Sequence, residues 1–392
     1  SDDVVDMSPR KLMEINAVPD VSVLKDVKRY IKAICLSHAH LDHVGAVPFI
    51  AGQFDCPVHG TPFTIEVLKT IMQDESLHLN NELVIHKTNS KFRVSDNIEI
   101  EFINVTHSTP HTVIIAVHTK EGTVVYANDF KFDNAPLLGQ KPNFDKLRSL
   151  KTKLLIMDSL YAKTYIKTPS ESIAREMLRD VMLGTNSVGK SMVVTTFASH
   201  LARIRSIYEL GIKLNRKVVF LGRSLAKYTL AGERCGLVDF NKKIEIVKYG
   251  SKIKNYLNKV AKPEKYLFVV TGHQAEPQAT LSKMVQGAFK WKEGDIMIFS
   301  CNIIPVLENI NHREKMEAEL RARKVRIFRD IHVSGHAARE DHRDMISLVK
   351  PEHIIPTHAT PENLEALKDL AIEMGHAPET IHIIKNGQRL KI

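Results

Sequence analysis

The stretch Ser37-His38-Ala39-His40-Leu41-Asp42-His43 constrains this 392-residue chain more than any other. It closes the apolar run 31–37, a candidate buried strand, and crowds four potential metal ligands into six residues. Imidazole and carboxylate together suit zinc or a similar borderline divalent ion. In a loop leaving a strand, His38 and His40 can face one ion while Asp42 and His43 turn to a second. Two ions serve a hydrolase because together they acidify a water and clamp the oxygens of a phosphate undergoing in-line displacement. The competing reading is a chance histidine-rich loop. A position directly after a strand makes that the weaker reading.

Two ions need further ligands, and the chain offers them at strand ends. His107 ends the run 103–106, Asp129 ends 124–128, and His358 ends 354–357. A side chain just past a strand is held by a rigid element, as a site requires. Taken singly, Asp129 reads as well as a turn cap and His107 as a satisfied loop histidine. Their joint fit makes them candidates.

The rest of the chain divides by pattern. Runs 98–105, 112–118 and 122–127 read as consecutive antiparallel strands, and 61–74 and 362–374 as helices. From residue 153 the order is strand 154–157, helix 171–183, strand 192–196, helix 201–210, strand 218–221, then strand 266–270. That is the pattern of a parallel α/β unit. Segments 350–358 and 380–392 return to short strands. With 43% hydrophobic residues the chain can bury a sizeable core, and no apolar run is long enough for a membrane span, so no membrane partner is expected. The acidic start Ser1-Asp2-Asp3 does not read as a signal peptide. Cys35, Cys56, Cys235 and Cys301 form no CxxC pair, which favours reduced thiols and a cytoplasmic setting. The formal charge of +10 is compatible with a polyanionic partner but is weak evidence alone.

The set His38-x-His40-x-Asp42-His43, His107, Asp129 and His358 resembles the ordered motifs of the metallo-β-lactamase superfamily. The middle segment resembles its β-CASP insertion, whose members process nucleic acids. Asp158 in Met157-Asp158-Ser159 resembles motif A, His336 in His332-Val333-Ser334-Gly335-His336 motif B, and His358 in Pro356-Thr357-His358 motif C. The stretches Leu41-Asp42-His43-Val44-Gly45-Ala46-Val47-Pro48, Asp129-Phe130-Lys131-Phe132-Asp133, Thr271-Gly272-His273-Gln274-Ala275-Glu276-Pro277 and Phe299-Ser300-Cys301-Asn302-Ile303-Ile304-Pro305 are similar to ribonuclease J, its archaeal form in particular. The implied fold is an α/β metallo-β-lactamase αββα sandwich with an inserted parallel α/β domain. Its expected parts are 1–160 and 341–392 for the sandwich and 161–340 for the insertion. A Gly-rich strand pair and a further aspartate, which open that family, are not found before the metal loop. Asp2 and Asp3 are weak candidates for the remnant. The chain stops soon after His358, which favours the shorter archaeal type.

The resemblance implies that His38, His40 and His107 hold one zinc, Asp42, His43 and His358 another, and that Asp129 is shared; manganese is the alternative ion. Asp42, His336 and Asp158 are the implied catalytic residues, with His336 as general acid and Asp158 tuning it. Ser334 and Gly335 offer a phosphate nest together with His336. His332 reads equally as part of it or as a strand-end core histidine. The implied activity is 5′→3′ exonucleolytic cleavage of 5′-monophosphorylated single-stranded RNA by a homodimer. The alternatives are an RNA 3′-end endonuclease of the same fold and an inactive RNA-binding subunit. Arg203, Arg223 and Arg339 are weaker candidates for lining a channel between the two domains.

Gly184-Thr-Asn-Ser-Val-Gly189-Lys190-Ser191 fits the P-loop letter for letter. A P-loop needs a strand before it and a helix after it. Here a helix precedes and a strand follows, so the segment is expected to be a polar turn.

Overall fold

The computed structural model describes residues 7–240 and 244–392, so Asp2 and Asp3 lie outside the described residues. Two compact units divide after Thr168 and after Val333, and the second runs from Pro169 to Val333. These divisions fall inside the expected 161–340. Arg339 N bonds Thr164 O (3.1 Å), Thr168 N bonds the Asp341 carboxylate (2.8 Å) and Thr168 Oγ1 bonds His336 O (2.9 Å). Those bonds tie 161–168 and 334–341 to each other within the first unit.

The first unit is built on a six-stranded sheet in the order His353–Thr357, Thr152–Asp158, Gly122–Ala127, Val113–Thr119, Ile98–Asn104, Ser90–Ser95. The first three strands run parallel and the remaining neighbours antiparallel. Valine, isoleucine and phenylalanine suit a pleated, buried surface, which is why these runs become strands. The hairpin from Val113–Thr119 into Gly122–Ala127 turns at Gly122, where φ is +134° and a Cβ would stand 2.9 Å from Lys153 Cβ. One face of this sheet packs on helices Arg339–Val349 and Pro361–Glu373 through Ile103, Leu155, Met157, Ile354, Met345 and Leu367. Full burial of each such side chain is worth about 1.5–3 kcal/mol.

The other face meets a small parallel sheet of Ile34–Cys35, Val58–Gly60 and Leu83–Ile85. Phe92 stacks on His86 at 3.5 Å and Phe102 meets the same ring edge-on at 5.9 Å. Beyond it lies helix Pro62–Asp74, which starts with proline at its first position and buries Phe63, Ile65, Leu68 and Ile71. Helix, sheet, sheet, helix is the layering the resemblance implies.

Two expected strands differ. The run 31–37 yields only Ile34–Cys35 because the chain changes sheets there. Leu36 N bonds His59 O of the small sheet (2.8 Å), while Ser37 O accepts from Val113 N of the large one (3.0 Å). The segment 380–392 is not a strand. Ile381 makes one bridge to Ile354, after which Lys385 and Gln388 close a turn around Gly387, and the remaining polar residues are exposed.

The second unit is an all-parallel sheet in the order Glu245–Val247, Lys217–Leu221, Tyr266–Val270, Met192–Thr195, Ile296–Phe299, Arg326–Phe328. Its central strands are continuous apolar runs, as strands covered on both faces must be. Helix Leu201–Lys213 comes so close that a Cβ on Gly211 would stand 2.5 Å from Leu267. The P-loop-like segment links helix Glu171–Gly184 to strand Met192–Thr195, and Lys190 Nζ donates to the Glu293 carbonyl at 2.8 Å. It is the polar turn the order of elements implies. Among the described residues no helix is long and apolar enough to cross a membrane.

Candidate metal centre

Strand ends of the first unit converge on one cluster. His38 follows Ile34–Cys35, His40 caps the short helix Leu41–Val44, and Asp42 and His43 lie on its single turn. His107 comes after Ile98–Asn104, Asp129 after Gly122–Ala127 and His358 after His353–Thr357. Asn128 Nδ2 donates to Thr357 Oγ1 at 3.0 Å, so the residues just before Asp129 and His358 lock these two strand ends together. His358 sits in the left-handed region at φ +58°, a conformation uncommon outside glycine.

Three groups of potential metal ligands share Asp129, the third being Asp129 with Asp158 and His336. His38, His40, His107 and Asp129 form the first, and Asp42, His43, Asp129 and His358 the second; in each the ligand atoms lie within 4.8 Å of one another. Asp129 Oδ2 stands 3.6 Å from His38 Nε2, 3.4 Å from His43 Nε2 and 3.8 Å from His107 Nε2, and Oδ1 stands 3.6 Å from His358 Nε2. Three of the other ring nitrogens are held from behind. His38 Nδ1 meets Ser37 Oγ (3.0 Å), His107 Nδ1 meets the Gly335 carbonyl (2.7 Å) and His40 Nε2 meets Ser108 Oγ (3.2 Å). Such partners fix the ring plane and aim the other nitrogen, as around metal-binding histidines generally.

The charges of the cluster follow from burial. His38, His40 and His107 are driven toward the neutral form by desolvation, aided by the neighbouring imidazoles, His40 to about 4. They are therefore available as ligands at neutral pH. Burial opposes a charge on His43 too, but Asp129 and Asp42 outweigh it and raise this imidazole to about 9. Asp42, also partly buried, is held at about 2 mainly by His43. Asp129 is pulled well below the carboxylate range by His43, His336 and His38 despite its burial. Hence, with no ion bound, a protonated His43 neutralises the buried carboxylate.

The donor set fits a pair of divalent ions. His38 Nε2 and Asp129 Oδ1 are buried without a hydrogen-bond partner, and His40 Nδ1 and His107 Nε2 crowd within 3.0 Å. Unsatisfied buried acceptors cost about 1–3 kcal/mol each, and a cation relieves them together.

Beside the cluster, His336 Nδ1 bonds Asp158 Oδ2 at 2.8 Å, and the Asp158 side chain is fully buried. Burial lowers the His336 imidazole, yet Asp158 and Asp129 raise it above its ordinary value. Ser334 Oγ accepts from His336 N (3.0 Å), and the Ser334 carbonyl accepts from the buried Lys131 ammonium (3.0 Å). Gly335 must be glycine because a Cβ would stand 2.8 Å from Ser108 Cβ. His332 belongs to the second unit, where its Nδ1 lies 3.3 Å from Arg203 Nη1.

Two of the channel arginines are corrected. Arg203 is wholly buried and forked onto Glu171 (2.5 and 2.7 Å) and Ser300 Oγ (2.9 Å), while Arg339 is buried against Glu373 (2.7 Å) and stacked on Tyr165. Each holds its own unit together. Arg223 is exposed at the start of helix Arg223–Arg234. Sequence reasoning missed Lys131, Ser37 and Ser108. The two serines stand next to ligands in the chain, which is the signal that could have found them.

Comparison with known proteins agrees with this architecture. Residues 10–147 match the beta-lactamase superfamily domain, 189–313 the beta-CASP domain of ribonuclease J, and 322–384 the Zn-dependent metallo-hydrolase RNA specificity domain. A crystal structure of a protein of unknown function from Enterococcus faecalis V583 shares the fold, with TM-score 0.59 and 19% identity over 84% of this chain and 76% of that one. Fold and site thus define a metallo-β-lactamase-type protein with a β-CASP insertion. Ribonuclease J of Methanocaldococcus jannaschii is 38% identical over 99% of this chain and 89% of its own length. That of Pyrococcus abyssi is 38% identical over 98% and 87%. The chain belongs to the ribonuclease J family.

Proposed function

We propose that this chain, a metal-dependent ribonuclease by its family, is a 5′→3′ exoribonuclease acting on 5′-monophosphorylated single-stranded RNA. The observation that carries the reading is the pair of ligand sets sharing Asp129, with the His336–Asp158 pair beside them. Zinc, with manganese as substitute, would be held by His38, His40, His107 and Asp129 and by Asp42, His43, His358 and Asp129. Bound there, two ions supply an acidified water and positive charge for the scissile phosphate. Asp42, the most exposed carboxylate of the cluster, would orient the attacking water and accept its proton. His336, whose imidazole Asp158 raises above its ordinary value, would deliver a proton to the leaving 3′ oxygen. Ser334 and Gly335 receive the 5′-phosphate with His336, and the Lys131 ammonium holds their backbone from behind. His332 joins this group on its place in the sequence alone. A homodimer is the proposed form on family grounds, and the cytoplasm its proposed setting from the widely spaced cysteines.

The test is a 5′-labelled single-stranded RNA carrying a 5′-monophosphate, beside the same RNA with a 5′-hydroxyl. Immediate release of labelled mononucleotide, faster from the monophosphate and lost with chelator, is expected. Internal fragments from both ends alike would replace the exonuclease with an endonuclease.

A further inference from the structure

In the second unit, residues 248–265 carry six lysines (Lys248, Lys252, Lys254, Lys259, Lys262, Lys265) against one carboxylate, Glu264. They surround helix Gly250–Lys259, whose Ile253 and Leu257 are buried in the core of that unit. With those two residues facing in, Lys252, Asn255 and Lys259 follow one another at helical spacing on the outer face; these three and Tyr249, the N-cap residue just before the helix, are exposed. The nearby Glu245 does not cancel this charge, because Lys217 pairs with it at 2.7 Å and Tyr256 donates to it at 2.9 Å. Lys283 adds to the patch, its Nζ lying 3.8 Å from where a Gly250 Cβ would be. Lys252 Nζ stands 5.7 Å from the centroid of the Tyr249 ring, within cation–π range.

Solvation accounts for a lysine-rich face. It does not account for a large aromatic side chain left 54% exposed among the lysines. Cations spaced along a helix beside an open ring form the combination that holds single strands, with charge tracking the backbone and the ring stacking on a base whatever its identity. We infer that Tyr249, Lys252, Lys259 and Lys283 form a sequence-tolerant binding surface for single-stranded RNA, separate from the metal-ligand cluster in its residues. The choice of RNA rests on the ribonuclease reading above, and the charge and the ring are compatible with it.

The experiment measures equilibrium binding of a fluorescent 20-nucleotide single-stranded RNA to the full chain in EDTA, so that cleavage plays no part. Salt is varied, and anionic phosphatidylglycerol vesicles form a parallel arm. Tyr249→Ala is expected to weaken RNA binding about fivefold or more while Tyr249→Phe keeps it, since stacking is worth about 1–3 kcal/mol per base. Lys252→Gln with Lys259→Gln is expected to flatten the log–log salt slope by about 1.4, at ~0.7 per phosphate contact on a single strand. All four positions are exposed, so melting temperatures should stay unchanged. Unaltered affinity and slope in these variants would overturn the proposal, as would vesicle binding that depends on the same residues while RNA binding does not. Failure of the wild type to cut RNA with metal present, with binding still dependent on Tyr249, would sink the ribonuclease reading and leave this surface standing.

Discussion

Asp158→Asn tests the proposed proton donor while leaving the two histidine-rich ligand sets intact. Asparagine keeps the size of the buried side chain and can still bond His336 Nδ1 at the observed 2.8 Å. What it removes is the charge that raises this imidazole, and burial then acts unopposed by Asp158 to lower it. A hydrogen bond to a charged group is worth about 1.5–3 kcal/mol, so kcat at pH 7.5 should fall about ten- to a hundredfold. His336→Ala, which removes the acid itself, should cost more, ~10²–10⁴-fold. The sign with pH is fixed. A general acid works while protonated, so activity falls as pH rises through its pKa, and in Asp158→Asn that fall should move to lower pH. The assay is single-turnover cleavage of 5′-labelled RNA between pH 5.5 and 9, with metal content measured on each sample. An unmoved profile, or a larger loss in Asp158→Asn than in His336→Ala at equal metal content, would refute the reasoning.

Three further outcomes follow from the geometry. Glu171→Gln strands the wholly buried Arg203 guanidinium, and breaking such a pair from one side costs about 3–5 kcal/mol, read as a lower denaturation midpoint of the second unit. His200 and Arg203 hold the Glu171 carboxyl well below its ordinary value, so this stability is present above the unfolded carboxyl pKa and drains away as pH falls toward the folded one. Zinc uptake by metal-free protein at pH 7.5 should release a proton from His43, which stands at about 9, so affinity should weaken as pH is lowered; calorimetry in buffers of different ionisation enthalpy reads the proton. Gly335→Ala drives a methyl to 2.8 Å from Ser108 and should raise KM for monophosphorylated RNA more than it lowers bound metal.

The histidine–aspartate cluster was legible because His38, His107, Asp129 and His358 sit one to three residues past strands, and strand ends can be read from apolar runs that stop. His107, Asp129 and His358 needed no knowledge of tertiary contacts, only that Val, Ile and Phe runs end beside them. The supports were less legible. His107 Nδ1 reaches Gly335 across 228 residues of chain, and Lys131 reaches Ser334 across 203. No local pattern encodes such ties. Arg203 misled for a related reason: an arginine at the start of an amphipathic helix reads as exposed unless its buried carboxylate partner, 32 residues earlier, is known. The strand at 31–37 was overextended because an apolar run marks burial but not the point where a chain passes from one sheet to the next.

The central claim is that two ions sharing Asp129 are needed for RNA cleavage. Titrating metal-free protein with zinc, with bound metal and cleavage of 5′-monophosphorylated RNA read on the same samples, tests it most directly. Two equivalents per chain are predicted, with activity following the second, and Asp129→Ala should bind less metal and cut nothing. Full activity at one equivalent or in chelator, or an active Asp129→Ala verified to lack metal, would contradict the account.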